Sequence, residues 1–409
     1  MAKFLLAWEL GANYGHVARC REIGLALRRR GHEVLLAVRD TRPAAEVLGP
    51  DLPFVQAPLP IRPARLRQPP VNYAELLLGE GYAEPPVLRG LLMAWRDLLR
   101  LGNIEAVLAD HAPTALLAAG LADVPALPIG NGFAIPPEVT PWPSIRSWEA
   151  VASARLEEAE RRLQGVIASA CAELGWSDIS LRACFGANAL LNTFPELDHY
   201  GDRPAGNYIG PIDANPDRSS PAPGWQTFGR NKILAYLRPR IPGFTALMAA
   251  LKASDAEILA VVPGLPMAEA KQLAGPRLRI ALRPLPLQRL LAGANAIVSY
   301  GGGAFTTEAL LAGKPLLLLP QFVEQYLGAR RIEALGAGLL LGRERDQATI
   351  ALALTRLLDE ASFTAAAQSF AERHATHRSA DAIHRAVLAL ETLIAPPADA
   401  AKHLLETTS

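Results

Sequence analysis

Ala296-Ile297-Val298-Ser299-Tyr300-Gly301-Gly302-Gly303-Ala304-Phe305 is the stretch that decides the fold of this chain. A short apolar run of strand character enters three consecutive glycines, and a helical pattern follows from about Phe305. A strand that turns through glycine into a helix leaves amide groups unpaired beside the positive end of the helix dipole. Such a turn is an anion cradle suited to a diphosphate. Three glycines exceed what a tight turn alone requires.

The same rhythm spreads outward from that point. Around it, strands are predicted at 232–237, 257–262, 278–282, 296–299 and 316–319, with helices between them and only helices after 350. Earlier in the chain, strands are predicted at 3–8, 33–38, 106–109 and 126–129, with helices at 17–30 and 113–121. Buried strands that read as continuous apolar runs, joined by helices, imply parallel sheets covered on both faces. The 409 residues, 50% hydrophobic and 20% charged, suffice for two cores. The expected fold class is therefore α/β: two Rossmann-like, doubly wound parallel-sheet domains facing a cleft, with ligands at the carboxyl ends of the strands. The expected boundaries are a first domain over 1–212, a Pro-rich linker over 213–230 and a second domain over 231–375. A C-terminal helix over 376–395 is expected to pack back on the first domain, and 396–409 forms a tail.

Composition excludes several classes. A formal net charge of +1 gives no basic excess for nucleic acid. Cys20, Cys171 and Cys184 form neither a metal-ligand spacing nor a disulfide framework, which fits a reducing cytoplasm. The apolar run 4–8, ended by Glu9, is far shorter than the ~20 residues of a membrane span, and too short for a signal peptide. No Asp-x-Asp occurs, so a metal-bridged diphosphate is not expected, and no cofactor is expected beside the co-substrate.

A second cluster of chemistry follows the first predicted strand: Gly11-Ala12-Asn13-Tyr14-Gly15-His16. Glycines let this loop pass close to a ligand. His16 stands at a helix start, where the dipole favours neutral imidazole, the form of a general base. Asp110, at the end of the strand 106–109, is placed to fix its tautomer; capping the helix from 113 is the plainer role. His111 and Asp40 are weaker partners.

From Tyr300 the order Gly301, Gly302, Glu308-Ala309-Leu310, Gly313, Pro315, Pro320 and Gln325 resembles the donor signature of GT-B glycosyltransferases. The likeness is to the family 1, macrolide type, whose pattern runs His-Gly-Gly-x-Gly-Thr-x-x-Glu-Ala-Leu, Gly-x-Pro, Pro and Asp-Gln. Gly15-His16, Gly24, Leu27 and Arg30-Gly31-His32-Glu33-Val34 look like the same family's N-terminal signature, although Arg19 stands where it has a proline. The resemblance implies a metal-independent, inverting transfer of a sugar from a UDP- or dTDP-linked donor to a hydroxyl of a small, apolar acceptor. His16 would be the base and Asp110 its orienting acid. Amides around Gly302, Gly303, Ala304 and Phe305 would hold the diphosphate, Glu308 the ribose, and Glu324 and Gln325 the sugar, with Leu285 near the base. Tyr300 replaces the family histidine, and Arg238 is expected to restore the missing charge by its fork. Acceptor contacts are expected from the irregular segments 59–83 and 131–148, with Tyr14, Tyr73, Phe133 and Trp142. Two other readings stand beside transfer. Gly15-His16-Val17-Ala18-Arg19-Cys20 is similar to nucleotide-sugar hydrolases of this fold, and loss of the motif histidine fits an inactive binding or partner subunit.

Overall fold

The run Phe4-Leu5-Leu6-Ala7-Trp8 forms a central strand because both its faces are covered. Phe4, Leu6 and Trp8 pack with Val17, Ile23 and Leu27, whereas Leu5 and Ala7 pack with Val107, Ala109 and Leu116. A computed structural model describes residues 1–11, 14–62, 64, 66–176, 179–186, 188–212, 223–226 and 231–395. Most of the expected linker (213–222 and 227–230), the expected tail (396–409), and Ala12 and Asn13 lie outside the described residues.

The chain divides into two compact units. The first comprises Met1–Pro195, Asp202–Ala214 and Arg378–Ser409; the second comprises Glu196–Gly201 and Asn215–His377. In the first, β1 (Lys3–Trp8), α1 (Tyr14–Arg29), β2 (Glu33–Val38), α2 (Thr41–Leu48) and β3 (Phe54–Gln56) are followed by α3 (Tyr73–Gly79) and α4 (Pro85–Leu101). Then come β4 (Ala106–Asp110), α5 (Pro113–Leu121), β5 (Ala126–Gly130), α6 (Ser153–Ala172), α7 (Leu181–Phe185) and β6 (Leu190–Leu191). Among the described residues the sheet has six parallel strands in the order β3-β2-β1-β4-β5-β6.

The second unit repeats the plan. Its elements are β7 (Lys232–Tyr236), α8 (Phe244–Ala253), β8 (Glu257–Val261), α9 (Met267–Leu273), β9 (Leu278–Ala281), α10 (Leu287–Gly293) and β10 (Ala296–Ser299). They continue with α11 (Gly303–Leu311), β11 (Leu316–Leu318), α12 (Val323–Ala334), β12 (Gly338–Leu340), α13 (Gln347–Asp359) and α14 (Ala361–Arg373). The described strands again form a six-stranded parallel sheet, β12-β11-β10-β7-β8-β9, around a core of Ile233, Ala235, Val298 and Leu317.

The last helix, α15 (Ser379–Ile394), returns to the first unit. Its stripe Ala382, Ala386, Val387 and Leu390 is buried in the core shared with α1, and Arg30 and His32 both bond Glu391. No helix among the described residues is long and apolar enough to cross a membrane.

In each sheet the order reverses beside the first strand of its unit, which opens a crevice at the carboxyl ends of two neighbours. In the first unit these are β1 and β4, with Trp8 opposite Asp110. In the second they are β7 and β10, with Tyr236 opposite Ser299. Some expectations need correction. α1 starts at Tyr14 and α11 at Gly303, each earlier than the sequence pattern suggests. The segment 59–83 contains α3 and is not wholly irregular.

Candidate active site

At the crevice of the first unit, α1 brings His16 against the end of β4. His16 Nδ1 lies 2.8 Å from Asp110 Oδ1, and the carboxyl is fully buried. Only a protonated Nδ1 can donate to that oxygen, so the arrangement assigns the proton to Nδ1 and leaves the Nε2 lone pair as acceptor. Trp8 stacks on the imidazole with centroids 5.5 Å apart and planes 11° apart, holding the ring's orientation. Gly11 is required here for two reasons. Its φ is +81°, and a Cβ built on it would stand 2.6 Å from His16 Nε2.

Asp110 does not cap α5, whose N-cap is Ala112 without a side-chain bond. It is instead shared with Arg19, the residue at the family's proline position. Arg19 Nε donates to Oδ2 and Nη2 to Oδ1, both at 2.7 Å, and Nη2 lies 3.3 Å from His16 Nδ1. Burial by itself would raise the Asp110 carboxyl. The Arg19 charge and then the His16 interactions outweigh it and hold the group below its usual range. His111 follows in a left-handed conformation, φ 48°, with its ring 6.3 Å from His16.

Glu9, which sequence reasoning used only to end the first apolar run, ties the two loops together. It accepts from the Thr114 amide at 2.8 Å and from the Thr114 hydroxyl, which also meets Tyr82 Oη at 2.9 Å. It thus anchors the start of α5 to the end of β1, and so fixes the spacing of the connection that leads into α1, which carries His16, and the one that follows Asp110 at the end of β4. Burial, opposed mainly by the Thr114 bonds, raises its carboxyl to about 7. A folded state that holds a proton more tightly than the unfolded chain is favoured at low pH. This contribution is complete below the ordinary carboxylate range and is lost as pH rises through about 7. The linked loss is roughly 3 kcal/mol. Chemical unfolding between pH 5 and 8 (roughly the span over which this linkage acts) should show Glu9→Gln with a flatter stability profile than the parent. Parallel profiles would remove Glu9 as the source.

The expected acceptor aromatics divide. Tyr73, Phe133 and Trp142 are buried, and with His111 and Phe185 they form one cluster of stacked and edge-on rings with centroids 5.5 to 6.3 Å apart. These three expected acceptor contacts thus pack on one another and beside His111. Tyr14 is half exposed and bonds Glu46 of α2.

In the second unit, Gly301 takes φ +84° and its amide donates to Ser299 Oγ at 3.2 Å. Gly302 is the N-cap of α11 and no side chain caps the helix, while Gly303 and Ala304 are exposed. The amides of Gly303 and Ala304 therefore open the helix with no side-chain acceptor of their own. The hydroxyls of Thr306 and Thr307 turn back onto the carbonyls of Gly302 and Gly303 and serve the helix. Arg238, just after β7, places its guanidinium carbon 4.8 Å from the Tyr300 ring centroid. The charge that Tyr300 lacks is thus carried beside it. Tyr236 packs between Tyr300 and Phe305, at 6.3 and 5.1 Å.

Glu308 lies on α11 and Glu324 on α12, both partly exposed, and Leu285 is half-buried between β9 and α10. Gln325 is buried, and its Oε1 accepts from the Gln321 amide at 2.9 Å. Among the described residues, no group of three or more His, Cys, Asp and Glu is placed to hold a metal ion.

Comparison with known proteins finds relatives along most of the chain. A family model described as the C-terminal domain of erythromycin biosynthesis protein CIII-like proteins matches residues 245–390. A PGL/p-HBAD biosynthesis glycosyltransferase of Mycobacterium tuberculosis is 26% identical over 389 residues, covering 88% of this chain and 86% of that protein. A PGL/p-HBAD biosynthesis rhamnosyltransferase of Mycobacterium bovis is 26% identical over 336 residues, covering 77% and 74%. Spinosyn rhamnosyltransferase SpnG complexed with thymidine diphosphate shares the fold with a TM-score of 0.65 at 19% identity, over 95% of this chain and 100% of that one.

Proposed function

We propose that the chain is a GT-B glycosyltransferase of the family 1, macrolide type, carrying out an inverting, metal-independent transfer of a sugar from a nucleoside diphosphate to a hydroxyl of a small apolar or aromatic acceptor. The first unit supplies the base and the acceptor contacts; the second grips the donor. His16 Nε2 takes the acceptor proton, Nδ1–H stays on Asp110, and the hydroxyl oxygen attacks the anomeric carbon from the face opposite the diphosphate. The bond from that carbon to the diphosphate breaks, and its charge is met by the first amides of α11 and by Arg238. Glu308 holds the ribose, Glu324 and the Gln325 amide read the sugar, and Leu285 flanks the base.

We propose a dTDP-linked deoxyhexose as donor. Two relatives support this, one named a rhamnosyltransferase and one solved with thymidine diphosphate. The observation that carries the mechanism is His16 Nδ1 at 2.8 Å from a buried carboxylate at the crevice of the first sheet. Thermal unfolding with dTDP, UDP or GDP tests the donor reading. At a ligand concentration of about 100 Kd, binding to the folded state adds roughly 2.7 kcal/mol. A clear rise in Tm with dTDP alone is expected, and a rise confined to UDP or GDP overturns the choice of nucleotide. In product assays with a chelator, transfer should continue. Free sugar released at full rate without acceptor would replace transfer by hydrolysis.

A further inference from the structure

We propose that Arg19 is a positioning residue that keeps Asp110 ionised and, by sharing its charge, lowers the pH at which His16 becomes available as a base. The inference rests on the transfer reading above and adds a residue to it. In a two-member pair the carboxylate charge falls wholly on the imidazolium, and stabilises it. Here a permanent cation grips the same carboxylate. Arg19 Nε and Nη2 each donate at 2.7 Å, one to each oxygen, and His16 Nδ1 shares Oδ1 with Nη2. Planar, two-pronged contact with a carboxylate is what guanidinium provides and ammonium does not.

The placement follows from α1. Arg19 stands three residues after His16, so both side chains lie on one helix face and reach the same strand end. Asp110 is fully buried, where an unpaired carboxylate would take a proton. With Arg19 present the carboxylate stays charged without drawing a proton onto His16. With the cation removed, either the imidazole or the carboxyl retains a proton to higher pH, and both outcomes delay the free base.

The other groups near the pair do not duplicate this role. Cys20 of α1 lies with Sγ 3.9 Å from Asp110 Oδ2, and burial pushes its thiol far up. His111, at the end of β4, is the other titratable ring. Trp8 of β1 brings no charge. Glu9 directs its carboxylate to Thr114, Arg39 bonds the Glu9 carbonyl, and Tyr14 is engaged with Glu46 of α2.

The test is the pH dependence of kcat/KM for sugar transfer. Arg19→Gln keeps amide donors for Asp110 and removes the charge, and its acid limb should move up by about one pH unit or more. Arg19→Lys keeps the charge and should return the limb to within about half a unit of the parent. Arg19→Met is a second charge-free variant and should behave as Arg19→Gln does. An unmoved limb in the charge-free variants overturns the proposal however far kcat falls, because a merely structural role lowers the rate without moving the limb. A His16→Gln control separates the premises: retained transfer there refutes His16 as base, whereas lost transfer there with an unmoved limb in Arg19→Gln refutes only the role of Arg19.

Discussion

Replacing His16 by alanine should lower the rate of transfer by about 10²- to 10⁴-fold, the range of a deleted general base, and leave donor binding as it was. The variant should also remain folded, for a reason specific to this site. Removal of one member of a buried pair ordinarily strands a charge at a cost of about 3–5 kcal/mol. Here Asp110 keeps both hydrogen bonds from Arg19 when the imidazole is gone. The loss should therefore appear in kcat and not in the Tm or in the shift that nucleotide produces. Single-turnover measurement at saturating donor reads it directly. An alanine variant within about threefold of the parent, far short of a deleted base, would show that proton removal is not done by this residue.

Arg238→Ala should weaken nucleoside diphosphate binding by about 10- to 100-fold, the equivalent of one charge-assisted contact of roughly 1.5–3 kcal/mol. The turn at Tyr300 offers amides and a phenol and no cation of its own, so the guanidinium stacked on Tyr300 is the local charge. Its loss is not replaced by Thr306 or Thr307, because both hydroxyls already bond helix carbonyls. Calorimetric titration with nucleotide, repeated at two salt concentrations, measures the effect; the salt dependence should shrink in the variant. An unchanged Kd would remove Arg238 from the donor site. Restoring the motif residue with Tyr300→His in the Arg238→Ala background should recover part of the affinity.

Much of this was legible in the chain because the informative signals are local. Continuous apolar runs at 3–8, 33–38, 106–109 and 296–299 became central strands, since a buried parallel strand needs apolar residues on both faces. The edge strands β3, β6 and β12 span only two or three residues each, too few for any periodicity to show. His16 and Asp110 could be paired from the order of strands, because neighbours at the reversal bring their following residues together. Arg19 and Glu9 could not be assigned that way. Their partners stand 91 and 105 residues away, and a charge on a helix or after a strand reads as a solvated position until its neighbour is known. The only local hint was negative: an arginine where the family has proline. The acceptor aromatics could not be told from core residues in the sequence, since ring content marks a core anchor as readily as a ligand wall.

The return of α15 to the first unit makes that unit discontinuous in sequence, with nearly all of the second lying between its parts. A nascent chain leaving the ribosome therefore exposes the apolar side of α1 while the whole second unit is being made. The stripe Ala382, Ala386, Val387 and Leu390 that covers it arrives last. The first unit cannot finish folding in order of synthesis, and a chain cut short before Ser379 carries an open hydrophobic seam that invites chaperones or aggregation.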